Sequence, residues 1–287
     1  MRRRALLAFS AVALTACGSS ASPAPTGPVK RSPASRVVVV VMENKERGAV
    51  VGSKDAPYIT GLARTYANAP NSYAIRHPSL PNYLALVSGS TQGITSDCTG
   101  CDANGPNLGT QLSAKGIPWR SYLEGLPKPC FNGAFAGRYA KKHDPFAYWA
   151  STRCGHRASF DVLDRDLRRG TLPPFALVVP DLCHDMHDCS VAVGDRYLSV
   201  LVPRLLKALG PRGYLVLTFD EGSSSVHGGG RIPTIVAGPG VVRGRTLAST
   251  VTHYGVLRTI EDTFGLAHLG AAADPRNGSL RGLFRVS

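Results

Sequence analysis

Long hydrophobic runs are scarce in this 287-residue chain. Beyond residue 20 none approaches the ~20 apolar residues that a membrane-spanning helix needs, so no span is expected in the body of the protein. Acidic residues are also few: 19 Asp plus Glu stand against 33 Lys plus Arg, a formal net charge of +14. That excess is spread along the chain with no dense basic block. The spread argues against nucleic acid as a partner and leaves anionic headgroups, envelope polymers or phosphate-bearing substrates. No obligate protein partner is evident. Nucleotide loops are missing as well, since neither GxGxxG nor GxxxxGK followed by Ser or Thr occurs. No internal repeat is visible. What is not lacking is apolar content: 43% of residues are hydrophobic, ample for a core and incompatible with general disorder.

The N-terminus reads MRRRALLAFSAVALTACGSS. A basic cluster, an apolar stretch from Ala5 to Leu14 and a small-residue site make a secretory signal over residues 1–17. Leu14-Thr15-Ala16-Cys17 resembles a bacterial lipobox, in which Cys17 is lipidated and becomes the mature N-terminus; an ordinary signal-peptidase site is the alternative. Residues 18–35, rich in Ser, Pro and Ala, read as a disordered tether to a domain over 36–287. The expected location is outside the cytoplasm, either lipid-anchored on the outer face of the membrane or secreted. Cysteine usage agrees, because six cysteines besides Cys17 suit disulfides in an exported chain. Local pairing gives Cys98–Cys101, Cys130–Cys154 and Cys183–Cys189. The CxxC at 98–101 could instead be half a zinc site, but no second CxxC or HxxxH follows.

Four short, apolar, branched segments read as buried strands: Val37–Met42, Phe175–Val179, Tyr214–Phe219 and Ile232–Ala237. Helical patterns over Tyr58–Ala67, Asn82–Val87, Phe160–Arg169, Val191–Leu209 and Gly255–Phe264 alternate with them, which predicts an α/β fold with helices on both faces. Residues 96–157, rich in Gly, Cys, Pro and aromatics, read as a disulfide-tied cap or insertion. Acids follow the strands: Glu43-Asn44, Pro180-Asp181 and Asp220-Glu221-Gly222. In a mostly parallel sheet these ends share one edge, and ligands bind there. Packed carboxylates repel one another unless a cation neutralises them. Any one of these acids alone could be a helix cap, but together Glu43, Asn44, Asp220 and Glu221 suggest one or two divalent ions. Their oxygen donors suit Ca, Mg, Mn or Zn without distinguishing among them.

Two further clusters carry chemistry. In His77-Pro78-Ser79-Leu80-Pro81-Asn82, two prolines hold Ser79 at the start of a helix. A serine there is most often a cap; the functional reading is a nucleophile beside an anion-favouring helix end. No GxSxG surrounds it, so a hydrolase elbow is not supported. The loop Asp181-Leu182-Cys183-His184-Asp185-Met186-His187-Asp188 holds two histidines and three aspartates after Pro180. Such groups complete a metal shell, hold phosphate or protonate a leaving alkoxide. His227 could fold back over the site, and His253 reads as a capping or buried structural histidine. His143, His156 and His268 lack supporting neighbours and read as surface residues.

At these residues the chain resembles the bacterial phosphoesterase family that groups acid phosphatases with non-specific phospholipases C, within the alkaline-phosphatase superfamily. The resemblance rests on VVVVVMENKERGAVVG at 37–52, HPSLPNYLALVSGST at 77–91, PDLCHDMHDCSVAVGDRYL at 180–198, LTFDEG at 217–222 and HYGVLRTIEDTFGL at 253–266. It implies a three-layer α/β/α sandwich with a mostly parallel central sheet and metal-assisted phosphoryl transfer through a phosphoenzyme. It places metal or phosphate contacts on Glu43 and Asn44, the nucleophile on Ser79, the late acidic pair on Asp220 and Glu221, and phosphate contact or leaving-group protonation on His187. His77 and His227 match as further catalytic candidates, and Asn82 and Asp185 as substrate contacts beside Asn44. Longer members continue the first motif as Ser-Phe-Asp-His, where this chain has Lys45-Glu46-Arg47-Gly48. That departure favours a phosphomonoesterase acting on a small phosphate ester over a phospholipase C acting on a phospholipid diester. The non-catalytic alternative is a basic lipoprotein that binds anionic envelope polymers.

Overall fold

The structure, a computed structural model, describes residues 36–285. The signal segment, Cys17 and the tether lie outside the described residues. Along the chain run β1 (Val37–Met42), α1 (Arg47–Val50), α2 (Pro57–Thr65), β2 (Ala67–Asn68), β3 (Ser72–Tyr73), α3 (Ser79–Ser88) and α4 (Leu108–Ala114). They continue as β4 (Trp119–Leu123), β5 (Phe135–Ala136), β6 (Tyr139–Ala140), β7 (Arg157–Ser159), α5 (Phe160–Arg169) and β8 (Phe175–Val179). The last are α6 (Val191–Ala208), β9 (Tyr214–Phe219), β10 (Arg231–Ile232), β11 (Thr234–Ala237), β12 (Val251–Thr252) and α7 (His253–Phe264).

A seven-stranded sheet has the order β2-β11-β9-β1-β8-β4-β7. From β9 to β7 every neighbouring pair is parallel, and only β11 runs against the rest, since β2, antiparallel to β11, points the same way as β9. β1 is central because all six of its side chains are buried. Val37, Val39 and Val41 join the core under α3, α4 and α7, whereas Val38, Val40 and Met42 join the core under α2, α5 and α6. A strand with no solvent face must be apolar at every position. Each such buried side chain is worth roughly 1.5–3 kcal/mol. The architecture is therefore the expected α/β/α sandwich.

Two expectations need correction. The strand over Ile232–Ala237 is split: Arg231–Ile232 pairs with β3 in a small second sheet, and Thr234–Ala237 forms an antiparallel strand beside β9. Pro233 between them has no N–H to continue a ladder. The cap over 96–157 is also only partly a cap. Its Trp119–Leu123 is β4, inside the main sheet between β8 and β7, with α4 packed before it. The disulfides Cys98–Cys101, Cys130–Cys154 and Cys183–Cys189 are all present. β4 escapes a reading of the sequence because Arg120 and Ser121 interrupt its apolar run.

Candidate active site

Parallel register delivers the acids to one place. Met42 and Phe219 are aligned across β1 and β9, so the next residues, Glu43 and Asp220, leave the sheet side by side. Leu123 and Val179 are aligned in the same way, so Glu124 and the Pro180-Asp181 turn emerge further along the same edge. Glu43 is completely buried and is the hub. Its Oε1 accepts the Tyr83 hydroxyl at 2.5 Å, and its Oε2 accepts the Ser79 hydroxyl at 3.1 Å. His143 places Nε2 3.1 Å from the same Oε2, and its Nδ1 3.3 Å from Asp185 Oδ2.

Ser79 is not a cap. Pro78 is the residue before the helix, and Ser79 is its first residue, buried and with its hydroxyl turned to Glu43. Asp220 lies beside the Ser79 hydroxyl, whose influence lowers its pKa but not enough to offset burial. Asp220 Oδ1 accepts the Asn44 N–H at 2.9 Å, and the strained positive φ of Asn44 lets that N–H turn inward. Glu221 Oε2 lies 2.7 Å from His77 Nδ1, while His77 Nε2 lies 3.0 Å from the Ser224 carbonyl oxygen. Both ring nitrogens therefore face acceptors, the arrangement of an imidazolium.

The charges divide into two kinds. Burial alone would raise Glu43, yet His143, Tyr83 and Lys142 outweigh it and hold the carboxyl well below its ordinary value. Burial would likewise lower His143, but Glu43 and Asp185 outweigh it and push the imidazole up. Asp220 is driven well above the carboxylate range, by burial first and then by Glu43 and Glu221. Its Oδ2 is buried with no hydrogen-bond partner. A buried, unpartnered carboxylate oxygen facing two other acids is what a bound cation would satisfy. Ligand atoms of Glu43, His143 and His187 also lie within 4.8 Å of one another. The donor set fits a metal ion.

Comparison with known proteins gives the family. A model of the Phosphoesterase family matches residues 52–267. The chain belongs to that family. It is 35% identical over 273 residues to phosphatidylinositol-3-phosphatase of Mycobacterium tuberculosis, covering 94% of this chain and 87% of that protein. It is 30% identical over 217 residues to an acid phosphatase of Aspergillus fumigatus, covering 70% of this chain but 48% of that protein. The chain thus spans about half the length of that fungal relative. Among solved structures, the lipoteichoic acid synthase LtaP of Listeria monocytogenes superposes with a TM-score of 0.63 at 11% identity, over 85% of this chain and 76% of that one. An alkaline-phosphatase-superfamily protein of Vibrio parahaemolyticus gives 0.60 at 12% identity, over 89% and 71%. The fold is that of the alkaline-phosphatase superfamily, and the chain is a phosphoric ester hydrolase.

Several side chains of this phosphoesterase sit differently from their sequence reading. His143, read as a surface residue, is 3% exposed at the centre of the site. It lies on a short helical turn, Lys141–His143, that packs on α3, in a segment with no motif of its own. Asn82 is not free to bind substrate. Its Oδ1 accepts the N–H groups of Ile75 and Arg76, and its Nδ2 donates to the Arg76 and Pro78 carbonyls. It fixes the loop that presents Ser79. Asp185 is completely buried, and instead of facing substrate it orients His143 and accepts the His187 N–H at 2.7 Å. His227 does not close over the site: its ring packs on Tyr73 at 4.1 Å in an exposed loop.

His187 does reach the site, with Nδ1 2.7 Å from Asp188 and Nε2 3.1 Å from Lys142 Nζ. Lys142 also lies 3.1 Å from Asp97. Asp181 and His184 turn away to a separate group with Glu124. There His184 stacks on Tyr197 beside a groove of about 550 Å³ between α5 and α6. His253 is buried and donates Nε2–H to the Asp220 carbonyl at 2.6 Å, the structural role its position suggested. Glu46, in the stretch that departs from longer members, accepts the Ser223 and Arg231 N–H groups at 2.9 Å and pins the loop after Glu221. A Cβ on Gly222 would lie 2.2 Å from Glu46 Oε2, so only glycine allows that approach.

Proposed function

We propose that this phosphoesterase is an extracytoplasmic phosphomonoesterase working through a phosphoserine at Ser79. The observation that carries this reading is the buried Ser79–Glu43 hydrogen bond of 3.1 Å, with Asp220 held beside it. The Ser79 oxygen attacks phosphorus and the bond to the leaving alkoxide breaks. The serine proton passes to the neighbouring carboxylates, and the alkoxide takes its proton from the Lys142–His187 pair, in which the ammonium faces His187 Nε2 at 3.1 Å and resupplies it. Water then attacks the phosphoserine and frees Ser79. Glu43 is a poor base because its pKa is depressed, so the hydroxyl needs a second activator. A divalent ion held by Glu43, Asp220 and Glu221, with Asn44 beside them, would lower the pKa of the hydroxyl and neutralise the phosphoryl oxygens. His77 serves by holding Glu221, not by touching substrate.

The substrate class follows from chemistry and from the relatives together. A phosphoinositide-type monoester is the first substrate to test, given the name of the Mycobacterium tuberculosis relative that most of this chain matches. Small soluble monoesters come next, as the name of the fungal relative suggests. Lipidation of Cys17 would keep the enzyme at the outer membrane face. The deciding experiment compares metal-loaded wild type and Ser79→Ala on p-nitrophenyl phosphate, a short-chain phosphatidylinositol 3-phosphate and phosphatidylcholine. Monoester turnover that vanishes in the variant is expected. Faster release from phosphatidylcholine than from either monoester would give the diester reading instead. Binding of anionic polymer without turnover of any ester would make the protein a non-catalytic lipoprotein.

A further inference from the structure

We propose that a basic groove at the edge of the sheet opposite the active site docks on an anionic lipid surface and turns the catalytic edge toward the aqueous side. Arg36 directly precedes β1 and Glu43 directly follows it, so the two edges lie at opposite ends of one strand. At the Arg36 end a groove of about 690 Å³ is lined by Arg36, Arg168, Arg169, Arg204 and Lys207, and no acidic side chain lines it. Gly210 also lines it, and exposed Arg212 lies two residues further on.

Helix ends do not account for this cluster. Arg168, Arg169 and Lys207 stand in the last turns of α5 and α6, where a cation favours the helix dipole. A dipole gives no reason for five cations to meet around one concavity, where like charges repel. Arg204 is answered by Asp164 at 2.6 Å. Arg168, Arg169 and Lys207 are exposed and form no ion pair among the described residues. Arg36 donates Nε to the Leu172 carbonyl and Nη1 to the Ala208 carbonyl, both at 3.0 Å, and neither acceptor brings a net charge.

An uncompensated basic concavity selects an anionic partner, and the course of the chain selects which one. The two Arg36 bonds fix the start of the described chain between the loop before β8 and the end of α6, in this groove. Residues 18–35 link Cys17 to Arg36, a reach of at most ~65 Å. The proposal rests on the reading of Cys17 as lipidated, which keeps a lipid surface within that reach. Anionic headgroups attract basic clusters next to an anchor, and here that attraction sets which face is turned to the membrane. The six-residue β1 separates the two edges by about 20 Å. Phosphate esters then reach Ser79 from solution, as the short-chain and soluble monoesters do.

The test measures binding of the full chain carrying Cys17→Ser, which no lipid can tether, to vesicles of phosphatidylglycerol with phosphatidylcholine and to phosphatidylcholine alone. Binding to the anionic vesicles alone, falling with added salt, is expected. Arg168→Glu with Arg169→Glu should weaken it by roughly 30-fold or more, with turnover of p-nitrophenyl phosphate unchanged. Arg168→Gln with Arg169→Gln should weaken it in the same direction and guards against a helix-end defect in the first pair. Lys128→Glu with Arg138→Glu makes the same charge change at exposed positions between β4 and the catalytic-edge loop, and should leave binding near wild type. Equal losses in the two Glu pairs would overturn the groove and leave diffuse net charge. Vesicle-bound protein that no longer turns over p-nitrophenyl phosphate would overturn the orientation. Stronger binding to soluble polyglycerol phosphate than to vesicles would make the groove a polymer site instead. Mass analysis of the wild-type N-terminus tests lipidation separately, so failure of the anchor and failure of the groove are distinguishable.

Discussion

His143 Nε2 sits 3.1 Å from Glu43 while its Nδ1 faces Asp185 at 3.3 Å, so one buried imidazolium answers two carboxylates at once. Those two acids outweigh the burial that would otherwise lower it, and push it up to about 9. The metal-free protein should therefore carry a His143 contribution to stability that is complete below the unfolded value of about 6.5. It is lost as the pH rises through about 9. Asp185 and Glu221, each raised to about 6 by burial first, act with the same sign at lower pH. Urea denaturation between pH 7 and about 10, above the range where buried His253, lowered to about 4, acts with the opposite sign, should show stability falling as pH rises. A flat or rising profile would show that His143 is not charged in the folded state.

Removing the imidazole should be costly. His143→Ala leaves Glu43 and Asp185 buried without their shared counter-charge, and breaking such a buried pair typically costs about 3–5 kcal/mol. Equilibrium unfolding of the variant measures this. A loss under about 1 kcal/mol would mean that the two acids find other partners.

Asp220→Asn should separate stability from function. Burial and two neighbouring acids disfavour the ionised side chain in the metal-free protein, so the amide, which can still accept the Asn44 N–H, should not destabilise it. Metal retention should fall by about 10–100-fold and turnover with it. Elemental analysis after dialysis checks the loss of metal, and thermal denaturation of the metal-free variant checks the unchanged stability. Metal content equal to wild type would remove Asp220 from the ligand set.

Ser79→Ala should leave the fold standing, because α3 keeps its Pro78 N-cap and its buried face. Turnover of a chromogenic monoester should fall by more than about 1000-fold. Residual hydrolysis near the wild-type rate would exclude Ser79 as nucleophile.

Asn82→Ala tests a structural role. Four hydrogen bonds from one amide hold residues 75–78, and leaving those groups unpaired should cost about 1–3 kcal/mol. If Asn82 acts only through the loop, the melting temperature and kcat should fall while phosphate affinity stays near wild type. A selective loss of phosphate affinity at unchanged stability would restore it as a substrate contact.

Much of the site could be read from order alone. Val37–Met42 is apolar at every position and Tyr214–Phe219 nearly so, with Thr218 its one small hydroxyl, so each reads as a strand covered on both faces, with the acids that follow reaching one edge. Ser79 was legible from its position between prolines at a helix start. His143, Lys142 and Asp97 were not, because they lie in loops and a short turn without periodicity, and nothing local couples them to Glu43. Asn82 and Asp185 read as substrate contacts because of their neighbours in the sequence. Only the hydrogen bonds showed that both face inward to other protein groups.

The amino-acid order by itself determined the layers, the strand ends and the identity of the acids and the hydroxyl, since burial of continuous apolar strands admits few arrangements. Tertiary structure decided which groups meet. Hydrogen bonds and ion pairs act over a few ångströms, and only the packing of α3 against the Lys141–His143 turn brings a histidine, a lysine and an aspartate from separate loops within that range of Glu43 and the Ser79 end of the helix.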